Sequence, residues 1–87
     1  MSVDTMLVRV TVQDAWDTVE LKLPATASVA ELKLRALVLT HVTNDPSAYE
    51  VKFRGASLRD EGASLAQAQV VDNAALIVLP RRRRPVM

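Results

Sequence analysis

Two short runs near the start of the chain alternate apolar and polar residues without a break, and they constrain the fold more than any other feature. In residues 7–12 (LVRVTV), Val8, Val10 and Val12 fall on one side and Arg9 and Thr11 on the other. In residues 18–23 (TVELKL), Val19, Leu21 and Leu23 share a side. A period of two is the mark of a half-buried strand. The intervening QDAWD is polar apart from Ala15 and Trp16, so the two runs read as an antiparallel hairpin. Pro24, which cannot donate to a ladder, closes the second strand.

The next segment supplies a cover for that hairpin. In SVAE, residues 28–31, Ser28 is placed to accept from the N–H three residues on, and Glu31 to reach back to the N–H of Ser28. Val29, Leu32, Ala36 and Leu39 or Thr40 then recur at helical spacing, with Lys33 and Arg35 off the stripe. This predicts a helix from Val29 to His41, broken by TNDPS at 43–47. Residues 49–54 (YEVKFR) alternate again, with Tyr49, Val51 and Phe53 opposite Glu50, Lys52 and Arg54. Gly55 follows where a turn needs positive φ. Leu58 reads as a short strand or anchor, Ser64-Leu65 as one helical turn, Val70-Val71 as a return to the core and Asp72-Asn73 as a turn. Residues 75–79 form the last strand. The expected architecture is α+β: a mixed four- or five-stranded sheet with one helix packed across one face. The expected division is a flexible N-terminus over 1–6, a domain over 7–80 and a basic C-terminal tail over 81–87.

Eighty-seven residues make one domain, and the 49% hydrophobic content includes one Trp, one Tyr and one Phe, so the core is aliphatic. There is no cysteine, hence no disulfide and no thiolate ligand or nucleophile. No apolar stretch approaches the about 20 residues of a membrane span, and the N-terminus lacks the pattern of a leader. The expected location is cytoplasmic. The net charge of +1 conceals an asymmetry: Arg81, Arg82, Arg83 and Arg84 hold four of the 11 basic residues, leaving seven against ten acidic residues in 1–80.

The order and spacing of these elements resemble ubiquitin and its relatives, the β-grasp fold, from about Leu7 to Arg84. Within FRGASLRDEGASLAQAQVVDNAALIVLPRRRR, Phe53, Gly55, Leu58, Asp60, Leu65, Val70 and Leu76 fall where ubiquitin-like proteins keep a strand end, a Gly turn, a leucine anchor, an acidic residue, a helical turn and last-strand core positions. Conjugated members and sulfur carriers use a paired glycine that is adenylated in an enzyme channel. The corresponding positions here are near Arg84 and Pro85, and the two glycines are Gly55 and Gly62. The resemblance therefore implies a module that is not conjugated. A processed carrier would need cleavage or extension to expose a glycine. Small bacterial relatives lie beside type VII secretion systems or serve as subunits of diiron monooxygenases, which implies a protein partner in a secretion or multisubunit enzyme system. The Ala- and Arg-rich usage is compatible with a bacterial origin.

In ubiquitin, partners dock on an apolar patch of the exposed sheet face. The resemblance places apolar Ile77 and Leu79 in that patch but Lys52 at its centre, so ordinary ubiquitin-binding domains are not the expected partners. The strand pattern marks the same surface: if Leu76 and Val78 face the core, Ile77 and Leu79 face outward, beside Arg9, Thr11, Lys52 and Arg54. That side is expected to be apolar at one edge and basic next to it. The candidate partner-binding set is Arg9, Lys52, Arg54, Ile77, Leu79, Arg81, Arg82, Arg83 and Arg84; the bland alternative is a solvated sheet face. The arginine run is suited to phosphates, an anionic membrane surface or an acidic groove on a protein, or is only a solubilising end. Trp16 in the first turn reads either as an exposed interface aromatic or as a side chain folded over the edge of the core, and the second is the expectation. His41 is expected near the end of the helix, where its positive form interacts favourably with the dipole. No phosphate loop, metal-ligand set or nucleophile–base pairing is present, so no enzyme and no cofactor are expected. Oligomeric state is not legible.

Overall fold

The computed structural model describes residues 5–81 and realises the alternating runs as a sheet with one buried face. The strands are β1 (Thr5–Val12), β2 (Asp17–Pro24), β3 (Tyr49–Phe53), β4 (Ala56–Ser57) and β5 (Ala74–Pro80), and the helix is α1 (Val29–Leu39). Their order across the sheet is β2-β1-β5-β3-β4. β1 and β5 run parallel; the other neighbours are antiparallel. Strand β1 begins at Thr5, two residues before the alternation predicts, so Thr5 and Met6 belong to the ladder opposite Pro24 and Leu23 rather than to a loose N-terminus. Residues 1–4 and 82–87 lie outside the described residues.

The period of two sorts the strands as expected. Val8, Val10, Val12, Leu21, Leu23, Val51, Leu76 and Val78 are buried beneath α1, joined by Tyr49, Phe53, Leu65 and Val70. Ser28 caps α1 by accepting from the Glu31 N–H at 3.0 Å. Glu31 does not complete the capping box; its carboxylate pairs instead with Arg35 at 3.1 Å, one turn on. The first turn is also held from outside, because the N–H groups of Val29 and Ala30 donate to the carbonyls of Ala63 and Glu61. The far end closes by a Schellman arrangement. His41 adopts a left-handed φ of 61°, its N–H donates to Val38 and the Val42 N–H donates to Leu37.

The buried stripe of α1 differs from the expected one. Val29, Leu32, Lys33, Ala36 and Leu37 are inside, whereas Leu39 is exposed. The pattern is i, i+3, i+4, i+7, i+8, the usual core face of a globular helix, with a lysine at the third position. The 65–69 segment is a hydrogen-bonded turn rather than a helix, with Ser64 Oγ accepting from the Gln67 N–H at 3.1 Å. Val70 reaches the core but Val71 does not. Among the described residues, no helix is long and apolar enough to cross a membrane.

Candidate docking face of the sheet

The face of the sheet away from α1 is read most directly through the strand registers. Thr11 stands opposite Thr18 on one side and Ile77 on the other; Ile77 stands opposite Lys52, and Lys52 opposite Ser57. One row of side chains therefore runs Thr18, Thr11, Ile77, Lys52, Ser57 across all five strands. Ile77 is its midpoint, and 46% of its surface is exposed. This corrects the expectation of an apolar edge: β5 is the central strand, so the apolar residues lie in the middle with polar groups around them.

Leu79, two residues along β5, lies opposite Glu50 and is half-buried. Arg9 lies opposite Ala75 and pairs across the first hairpin with Glu20 at 3.5 Å, both side chains largely exposed. The polar frame is internally ordered. Thr11 and Thr18 share a hydroxyl hydrogen bond of 2.9 Å, and Ser57 donates to Glu50 at 2.9 Å. The strand pattern already places Thr11 on this face; Thr18 and Glu50 follow from the same alternation without having been singled out, and Ser57 lies in β4, which no alternating run marks. The face thus combines one exposed aliphatic centre, a flanking aliphatic and the cations of Lys52 and Arg9.

The structure does not bring all the expected residues to this face. Arg54 has left the strand: at φ 56° it forms, with Gly55 at φ 81°, the two-residue turn between β3 and β4. Its guanidinium lies 5.1 Å from the ring centroid of Phe53, a residue of the core side, so its charge is turned from Lys52. Arg81 continues β5 in an anchored form. Its N–H donates to Ala48 O at 2.8 Å, its Nε to Ser47 O at 3.0 Å, and its guanidinium pairs with Glu61 at 3.2 Å. Arg82, Arg83 and Arg84 lie outside the described residues.

Arg81 belongs to a network that alternation could not reveal. Glu61 also accepts from Lys33 Nζ at 2.7 Å, and the same ammonium donates to Tyr49 O at 3.2 Å. Lys33 is 3% exposed, so its charge is supported almost wholly by these two partners. A second polar cluster sits near the tip of the first hairpin. The Tyr49 hydroxyl donates to Asp14 at 2.5 Å and accepts from Asn44 at 2.9 Å. The bond to Asp14 raises the Tyr49 pKa, because it is lost when the phenol ionises beside a carboxylate.

Two aromatic and imidazole expectations also resolve. Trp16 does not cover the core; it is 83% exposed. It occupies the left-handed position closing a 3-10 turn, Gln13–Ala15, that packs against β5, and this backbone geometry throws the indole outward. His41 is exposed in the left-handed position after the helix. Among the described residues, no group of three His, Cys, Asp or Glu is placed to hold a metal ion.

Comparison with known proteins identifies the fold. A ubiquitin-like domain from Arabidopsis thaliana aligns with a TM-score of 0.77 over 99% of this chain and 87% of that domain, at 14% identity. Ubiquitin from Caldiarchaeum subterraneum aligns at 0.75 over 93% of this chain and 99% of its own, at 15% identity. A designed protein based on ubiquitin aligns at 0.79 over 99% and 100%, at 13% identity. No protein-family model and no curated protein matches the chain. The chain has the ubiquitin-like β-grasp fold, a five-stranded mixed sheet with one helix across it.

Proposed function

We propose that this chain is a non-catalytic, cytoplasmic protein-interaction module of the ubiquitin-like class, not conjugated to other proteins, that binds a partner protein through the exposed face of its sheet. The observation that carries this reading is Ile77, 46% exposed at the midpoint of the sheet, inside a frame of ordered polar side chains. An aliphatic centre with a polar rim is the composition of a small docking surface. Lys52 on one side and Arg9 near the other favour a partner carrying an apolar side chain with acidic groups beside it. Leu79 extends the apolar centre toward the hairpin tip. Non-conjugation is supported by Arg84 and Pro85 standing where the resemblance places the paired glycine, with Gly55 and Gly62 far away.

The anchoring of Arg81 on Glu61 and Ser47 favours the sheet face over the arginine run as the principal surface, since the first arginine already serves the fold. The test is affinity capture at moderate salt with wild type and a Lys52→Glu variant. Loss of about tenfold or more in affinity for a specific protein, with unchanged Tm, is the expected result. A partner held equally by both overturns the assignment of this face. If salt strips everything captured and the material is nucleic acid or anionic lipid, the arginines are the binding element instead.

A further inference from the structure

The edge of the sheet at β2 carries a second surface, separate from the face around Ile77. Among the described residues β2 pairs only with β1, so its other side offers a backbone row to a further strand. On the helix side of that edge, Leu34, Val38 and Leu39 stand out of the core at 49%, 61% and 51% exposure. With Leu21 and Arg35 they line an open groove of about 300 Å³. On the opposite side, Glu20 and Lys22 are exposed, with Leu21 between them.

We propose that this edge is a homodimer interface, in which β2 pairs antiparallel with β2 of a second copy about a two-fold axis at Leu21. An isologous interface must be complementary to itself, and Glu20-Leu21-Lys22 has that property. The two-fold at residue 21 sets Glu20 of each copy opposite Lys22 of the other, and unlike charges directly opposed stabilise a ladder. Moving the axis to residue 20 or 22 opposes like charges. Opposed residues of antiparallel strands point to the same side, so Leu21 meets Leu21 and Val19 meets Leu23 on the helix face. The two grooves lined by Leu34, Val38 and Leu39 then lie side by side across the axis. On the outer face the row becomes Arg9, Glu20 and the second copy's Lys22, extending the ion pair that Arg9 and Glu20 already make. Pro24, without an N–H, bounds the run. The joined sheets present both Ile77 faces on one side, so the dimer is bivalent; the interface itself does not depend on that function.

Sedimentation equilibrium over a wide concentration range tests this. Wild type is expected to pass reversibly from the 9.5 kDa monomer to twice that mass. Lys22→Glu is expected to weaken association about tenfold or more, because symmetry counts each reversed pair twice. Glu20→Lys weakens it likewise, whereas an equimolar mixture of these two variants restores it, since every opposed pair is again unlike. Val38→Asp, at an exposed helix position, abolishes dimerisation with the monomer folded. A mass of 9.5 kDa at every concentration overturns the proposal, as does failure of the two variants to associate together while wild type dimerises. A monomer whose β2 amides become protected only on adding an extended apolar peptide assigns the groove to another protein and overturns it equally.

Discussion

Lys33 is the residue at which charge and position conflict most sharply. Its ammonium sits 3% exposed between Tyr49 O and Glu61, and Glu61 is held from its other oxygen by Arg81. Removing one partner of a buried pair leaves a charge without support, so Glu61→Ala is expected to destabilise by about 3 kcal/mol. Lys33→Met keeps the stem volume and removes the charge itself, and is expected to cost about 1 kcal/mol or less. Chemical denaturation of both variants checks the order; equal losses contradict the role given to Glu61. At His41 the penalty is conformational. A left-handed residue with a side chain costs about 1 kcal/mol relative to glycine. His41→Gly is therefore expected to raise Tm by about 4–8 °C. The sequence concealed both features for physical reasons. Lysine occupies a core position of the helix, so its charge masks a stripe that is otherwise regular. The carboxylate that supports it comes from a loop 28 residues away. The exposure of Trp16 likewise depends on a left-handed backbone angle that no periodicity encodes.

At the scale of elements, the strands were legible and their surroundings were not. Alternation over 7–12, 18–23, 49–54 and 75–79 names which residues face the helix, because a strand has only two sides. It does not say which strand is central. The position of β5 between β1 and β3 follows from the parallel crossover, and that alone moves Ile77 from an expected edge to the middle of the face. Arg54 failed for the opposite reason. It continues the alternation in sequence, but the turn with Gly55 takes it out of the strand. The union of β3 with the first hairpin rests partly on Tyr49. Its raised pKa means that the neutral phenol is bound more tightly in the folded state. This stability is fully present below the unfolded phenol pKa of about 10 and is lost as pH rises through the higher folded value. Tyr49→Phe is expected to lower stability by about 1–2 kcal/mol at neutral pH and to flatten the alkaline decline. Urea titrations from pH 7 to 11 measure both effects. A wild type and variant that decline in parallel contradict the assignment to Tyr49.

For the whole molecule, the fold supplies a rigid sheet whose two sides have separate tasks. One side is consumed by the core under α1, aliphatic apart from Tyr49 and Phe53. The other displays Ile77 beside Lys52, inside a frame of hydroxyls and carboxylates that already bond to one another, so Ile77 and Lys52 are the parts left for a partner. The end of β5 is tied down by Arg81, which means that a chain stopped at Pro80 also removes a partner of Glu61. A truncation after Arg81 separates the arginine run from the fold more cleanly. The most direct measurement is quantitative capture at moderate salt with wild type, Ile77→Asp and a chain truncated after Arg81, each verified to retain its Tm. A specific protein held by wild type and by the truncated chain, and lost with Ile77→Asp, is the predicted result. A partner retained by Ile77→Asp and lost on truncation contradicts the sheet face and assigns binding to the arginines.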